Sequence, residues 1–199
     1  MENKGIKKIV VIGPESTGKS TLCEQLSQHY EMQWCPEFAR EYLITNGKEY
    51  DHDELLTIAK GQIALEEEYL ESVKNEWSIN AENIYVNKNS QRAISHQPLL
   101  FIDTDMYVMK VWDEYVFGKC HQFILDEIVN RKYNLYLLCD IDLPWVKDDL
   151  REYPDEEPRK ELYRIYKDLL INQQTPWVEI NGDYDERLHK AIDAINKII

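Results

Sequence analysis

Gly13-Pro14-Glu15-Ser16-Thr17-Gly18-Lys19-Ser20 fits the pattern G-x-x-x-x-G-K-[ST] without a mismatch. Its two glycines let the backbone turn until successive N–H groups face one point, and a helix starting there adds the positive end of its dipole. A phosphate chain is the ligand such a loop suits. In this pattern the lysine, Lys19, reaches the β- and γ-phosphates of a nucleoside triphosphate, and the hydroxyl of Ser20 serves Mg²⁺. The expected Mg·ATP-binding set is Gly13, Pro14, Glu15, Ser16, Thr17, Gly18, Lys19, Ser20 and Thr21.

Further carboxylates and arginines stand where a second substrate would have to be handled. Leu99-Leu100-Phe101-Ile102-Asp103 is an apolar run ending in an acid, the form of a strand that delivers a carboxylate to the sheet edge. Asp103 is the expected Mg²⁺ ligand beside Ser20, and Asp105 is placed to contact the metal or an acceptor hydroxyl; the plainer reading is that both cap the helix that begins at Met106, which does not exclude metal binding. In Pro36-Glu37-Phe38-Ala39-Arg40-Glu41-Tyr42, Glu37 suits a base for an attacking hydroxyl and Arg40 suits a substrate anion. The plainer reading is a helix with an acid in its first turn and a solvated arginine. The irregular charged run from Asp140 to Pro158 reads as a lid, with Arg151 and Arg159 as the arginines a closing lid delivers to a transferring phosphoryl group. Trp145 within it is either an aromatic wall for an acceptor ring or a packing anchor. Asn181-Gly182-Asp183-Tyr184-Asp185 reads as a turn followed by a helix cap.

These groups need a frame. Ile6–Ile12, Met32–Cys35, Pro98–Ile102, Leu135–Cys139 and Trp177–Ile180 read as short buried strands. Between them lie helical periods at Lys19–Tyr30, from Pro36 to Asn46, at Asp51–Trp77, Met106–Phe117, His121–Asn130, Arg159–Ile171 and Asp185–Ile198. Glu66–Glu68 and Glu71 read as the solvated face of the long third helix, Asp51–Trp77. Ser78–Gln97, polar and rich in asparagine, reads as a loop or insertion with a short hairpin near Ile84–Val86. Strands alternating with helices imply α/β architecture: three layers around a mostly parallel five-stranded sheet, in one domain over residues 1–199.

Composition narrows the partners. The formal net charge of −14 opposes a broad grip on nucleic acid or an anionic membrane. No apolar stretch approaches the roughly 20 residues of a membrane helix, and the N-terminus lacks a signal-peptide pattern, so a cytoplasmic protein is expected. The four cysteines, Cys23, Cys35, Cys120 and Cys139, form no metal-binding spacing and read as free thiols. A homo-oligomer is compatible with the sequence.

The chain resembles the ribosylnicotinamide kinase domain of the NadR family, in the P-loop kinase group. The likeness is carried by GPESTGKSTL at Gly13–Leu22, PEFAREYL at Pro36–Leu43, FIDTD at Phe101–Asp105, DLPWVKDDLR at Asp142–Arg151 and NGDYDERL at Asn181–Leu188. The first of these is shared by P-loop proteins at large; the second and fourth are more particular. The resemblance implies transfer of the ATP γ-phosphoryl group to the ribose 5′-hydroxyl of nicotinamide riboside, giving nicotinamide mononucleotide for NAD synthesis. It also implies that the DNA-binding and adenylyltransferase portions of longer NadR proteins are absent. Two other readings stand beside it: a kinase for another nucleoside or small acceptor, and a nucleotide-operated regulatory module with no acceptor.

Overall fold

The computed structural model describes residues 5–86, 97–150 and 153–199, and of residues 79–86 the backbone alone. The β-branched run of β1 (Lys7–Ile12) lies at the centre of the sheet. It pairs in parallel with β3 (Leu99–Asp103) on one side and β4 (Leu135–Cys139) on the other. The short β2 (Trp34–Cys35) extends the sheet beyond β3, and β5 (Trp177–Ile180) extends it beyond β4. All pairings are parallel and the strand order is β2-β3-β1-β4-β5.

A strand buried on both faces sends alternate residues to opposite layers, and β1 does so. Ile9 and Val11 pack with Leu22 and Leu26 of α1 (Lys19–Tyr30) and with Ala191 and Ile195 of α7 (Tyr184–Ile195). Val10 and Ile12 join the opposite core, with Ile58 of α3 (His52–Val86), Met109 of α4 (Met106–Phe117) and Tyr166 of α6 (Glu156–Ile171). The short α2 (Phe38–Asn46) rests on α3, and α5 (Gln122–Asn130) on α4. The three-layer α/β/α arrangement expected from the alternation of elements is thus the observed one. Among the described residues, no helix is long and apolar enough to cross a membrane.

Three expectations are corrected. Residues 78–86 are neither loop nor hairpin: α3 runs on to Val86, and the rest of that stretch to residue 96 lies outside the described residues. No proline or glycine stands between Gly61 and Pro98. A helix already nucleated loses only about 0.7 kcal/mol per unfavourable residue such as Asn, so weak periodicity did not end it. Glu66 does not lie on a solvated face. It is 1% exposed, with Oε1 3.0 Å from Lys8 Nζ and 3.1 Å from Arg131 Nη1, and Oε2 accepting from the Tyr133 hydroxyl at 2.9 Å. These partners offset the cost of burying a carboxylate and pin α3 to the start of β1. Finally, the charged loop ends at Asp155, where α6 begins, three residues earlier than the periodicity suggested.

Gly61, in the middle of α3, is where α2 approaches. A Cβ there would sit 2.1 Å from the Phe38 ring. At the start of α3, His52, Asp113 and His121 gather, with one donor atom from each within 4.8 Å of the others. Asp113 Oδ1 lies 2.7 Å from His52 Nδ1, and Oδ2 accepts the His121 N–H at 2.8 Å. His121 Nε2 donates to the His52 carbonyl at 2.8 Å, and the two imidazoles stack at 3.6 Å, 12° from parallel. The stacked rings hold their in-plane lone pairs in separate, nearly parallel planes, and both Asp113 oxygens are engaged. The cluster fastens the start of α3 to the α4–α5 turn.

Candidate active site

The loop after β1 takes the shape its motif demands. Gly13 has φ 144°, and a Cβ there would lie 2.6 Å from the Cys139 carbonyl oxygen, so the glycine allows β1 to end hard against β4. Gly18, at φ 77°, opens α1. Inside the loop, the Pro14 carbonyl accepts from Thr17 Oγ1 at 2.8 Å and from Lys19 Nζ at 3.0 Å. Ser20 Oγ donates to Asp103 Oδ2 at 2.5 Å, which brings together the two residues expected to serve Mg²⁺. Asp103 is 1% exposed and its Oδ1 has no hydrogen-bond partner among the described residues. Burial pushes its carboxyl above the usual range, opposed by Lys19 and by the bond from Ser20. A buried carboxylate oxygen without a partner, beside a hydroxyl, is a hard-oxygen pair that fits a magnesium ion.

A cavity of about 390 Å³ runs from this loop past the carboxyl ends of β1, β2 and β3. Leu43, Tyr50, Ile58, Met109 and Trp112 give it an apolar and aromatic wall, and Glu37, Arg40 and Asp148 line the same cavity. Glu37 is the residue before α2 and yet makes no capping bond. Gln62 of α3 makes it instead, its Oε1 accepting the Phe38 N–H at 2.7 Å. The helix end is satisfied from α3, and the Glu37 carboxylate is left to line the cavity. Burial first, then the negative charges of Asp103 and Glu15, push the Glu37 carboxyl up to about 7, with Lys19 and Arg40 pulling the other way.

Not every predicted residue reaches this cavity. Asp105 caps α4, Oδ1 accepting the Tyr107 N–H at 3.0 Å and Oδ2 the Tyr136 hydroxyl at 2.7 Å. Burial pushes its carboxyl up to about 7. Of the two readings for Asp105, the structure takes the cap. Arg159 lies in α6, buried, with its guanidinium 5.4 Å from the centre of the Trp145 ring, and neither residue lines the cavity. Arg151 lies outside the described residues. Arg40 does reach the site and pairs with Asp148 across the cleft, Nη2 to Oδ2, at 2.8 Å.

Arg187 is a functional residue that the sequence reading passed over. It is 2% exposed in α7. Its Nε donates to the Gly182 carbonyl at 2.8 Å, Nη1 to the Thr17 carbonyl at 2.8 Å, and Nη2 to the Asp140 carbonyl at 3.0 Å and to Asp142 Oδ1. One side chain therefore ties the phosphate loop to the ends of β4 and β5. The turn at Asn181–Asp185 is a turn with a helix cap, as expected: Asp183 and Glu186 form a reciprocal capping box. Gln62, Glu66 and Arg187 share a signal that was open to sequence reading. Each is a polar side chain standing at three- and four-residue spacing within an apolar helical stripe.

Comparison with known proteins agrees with this geometry. The NadR proteins of Escherichia coli (strain K12) and Salmonella typhimurium, each named a trifunctional NAD biosynthesis/regulator protein, are both 25% identical over 203 aligned residues. The alignments cover 98% of this chain and 43% of each relative, so the chain spans less than half the length of the curated relatives it matches. Among solved structures, a NadR protein in complex with NR superposes with a TM-score of 0.71 at 22% identity, over 97% of this chain and 49% of that one. A thymidylate kinase from Ehrlichia chaffeensis gives a TM-score of 0.57 at 14% identity, over 96% and 99%. At these identities the structural likeness speaks for the fold, a P-loop kinase fold, and the resemblance to NadR read from the motifs is found again over nearly the whole chain. A family model described as an AAA domain matches residues 8–187, and the chain belongs to that family.

Proposed function

We propose that this protein is an ATP-dependent kinase that phosphorylates the ribose 5′-hydroxyl of nicotinamide riboside. The observation that carries the reading is Glu37: a carboxylate that makes no capping bond and lines the same cavity as the phosphate loop, Tyr50 and Trp112. A regulatory nucleotide switch has no use for such a group or such a pocket. The charge of the cavity favours this acceptor. Glu15, Glu37, Asp103 and Asp148 line it against Lys19 and Arg40 as its cations, and Tyr50 and Trp112 offer ring faces. A pyridinium riboside is a flat cation, which acids and aromatic faces attract, whereas a phosphorylated acceptor would be repelled. The name of the NadR relatives and the NR in the NadR complex support the same choice.

In this reading Lys19 and the backbone amides of the loop hold the phosphates, and Ser20 and Asp103 would hold Mg²⁺. The ion, when bound, neutralises charge on the β- and γ-phosphates. Glu37 orients the acceptor hydroxyl and takes its proton as the phosphoryl group departs. A carboxyl raised to about 7 is largely protonated at pH 6 and cannot accept a proton, so activity rises with pH. We expect kcat/KM for the acceptor to rise about tenfold per pH unit below a limb near 7. Glu37→Gln is expected to remove that limb and lower kcat by about 10²-fold, read from pH–rate profiles of both chains. An unchanged limb in Glu37→Gln would assign the titration to another group.

The acceptor is tested with purified protein, ATP, Mg²⁺ and a panel of ribosides and their 5′-monophosphates, following ADP release and product together. Nicotinamide riboside is expected to be consumed fastest and the monophosphates not at all. Rapid use of another nucleoside would replace the acceptor and keep the kinase. ADP release that no acceptor accelerates would leave a nucleotide switch.

A further inference from the structure

Glu15 is an odd residue to find in a phosphate loop. The third position of the motif is not fixed by phosphate binding, and a carboxylate there repels the triphosphate that the helix dipole attracts. The fold gives this carboxylate other work. Glu15 Oε2 accepts the backbone N–H of Tyr153 at 3.2 Å, and the hydroxyl of the next residue, Ser16, accepts the N–H of Val146 at 3.0 Å. Ser16 makes this contact from φ 57°, a left-handed backbone that a serine adopts only at a cost. Two neighbouring side chains of the loop thus hold the charged segment between β4 and α6 at two separate points. From the far side of the cleft, Arg40 pairs with Asp148 at 2.8 Å, and Lys48 Nζ lies 3.8 Å from Asp149. Asp148 and Leu150, between the two points of attachment, line the same cavity as the phosphate loop.

We infer that Glu15 is a positioning residue that, with Ser16, fastens the lid to the phosphate loop. The inference rests on the kinase reading for its catalytic consequence but not for its geometry. A carboxylate is the strongest neutral-donor acceptor available among side chains, so a backbone N–H bound by it is held more firmly than by a neutral oxygen. Because the anchor belongs to the loop that holds the phosphates, the segment is held over the transferring group itself. A lid so placed keeps water from taking the γ-phosphoryl group in place of the acceptor. That competing reaction breaks the same phosphoryl bond and yields ADP and inorganic phosphate, with the proton of the attacking water passing to solvent. Segment and loop should therefore act as one unit, and loosening the anchor should show as waste of ATP.

The test compares the wild-type chain with Glu15→Ala, Glu15→Gln and Ser16→Ala. Glutamine keeps an oxygen for the Tyr153 N–H without the charge, whereas alanine removes it. Two quantities are read: hydrogen exchange at the Val146 and Tyr153 amides by NMR, which is independent of any acceptor, and the ratio of inorganic phosphate released to acceptor phosphorylated. Glu15→Ala is expected to speed exchange at Tyr153 about tenfold and to raise the ratio about fivefold, with Glu15→Gln much closer to wild type. Ser16→Ala is expected to speed exchange at Val146, and it keeps the test open should Glu15→Ala fold poorly. Equal exchange in wild type, Glu15→Ala and Ser16→Ala overturns the inference, and so does a Glu15→Gln chain as loose as Glu15→Ala. A wild-type chain that ignores nicotinamide riboside but whose exchange follows this pattern overturns the proposed acceptor and leaves the anchor standing.

Discussion

Lys19→Ala is expected to lower the rate of phosphoryl transfer by about 10²–10³-fold, a loss of about 3–4 kcal/mol of transition-state stabilisation. Among the described residues the lysine ammonium makes one hydrogen bond, to the Pro14 carbonyl at 3.0 Å, within the arc of the loop. Little of the fold depends on it, so its removal should leave the melting temperature close to that of the wild-type chain while the rate collapses. The ammonium is a compact charge on a flexible stem, and the loop closes around it; Lys19→Arg, with a planar fork, should rescue poorly. Initial rates of ADP formation at saturating acceptor, with calorimetric titration of Mg·ATP, check both parts. Full activity in Lys19→Ala would remove the loop from the active site.

Arg187→Met is expected to show the converse pattern, a loss of stability from which the site suffers second. The guanidinium is buried and bonds three carbonyls and the Asp142 carboxylate. Removing it leaves three carbonyl oxygens without their donor, at about 1–3 kcal/mol for each that stays buried and about 3–5 kcal/mol together, while Asp142, 37% exposed, is left to solvent. For a chain of this size that corresponds to a fall in melting temperature of about 10 °C. The Thr17 carbonyl is one of the three, so the phosphate loop should loosen and Mg·ATP affinity should fall as well. Arg187→Lys should recover only part of either quantity, since an ammonium cannot face four acceptors in one plane. Thermal unfolding with and without nucleotide separates the effects, and a shift under about 2 °C in Arg187→Met would contradict the clamp.

The sequence by itself determined the sheet and the loop it carries. Short apolar runs can be read as strands because burial on both faces leaves them little but apolar residues, as in Ile9–Ile12 and Leu135–Cys139. The phosphate loop is legible because its chemistry is done by backbone, and backbone shape demands glycine at fixed spacing. Ser20 and Asp103 were legible for a related reason: a strand that ends in an acid can only present it at the sheet edge, and 2.5 Å separates the two side chains.

What only tertiary structure decided was which polar group serves which partner. Asp105 and Glu37 each stand at a helix start, and sequence left each open between serving the helix end and serving the site. Asp105 became the cap because Tyr136, from β4, covers its other oxygen; Glu37 was released to the cavity because Gln62, from α3, caps its helix. Neither choice is local, since Tyr136 lies 31 positions from Asp105 and Gln62 lies 24 from Phe38, the residue after Glu37. The partners that hold Glu66 and Arg187 have the same origin. A polar side chain is settled by whatever donors and acceptors the fold brings against it, and those arrive from other elements.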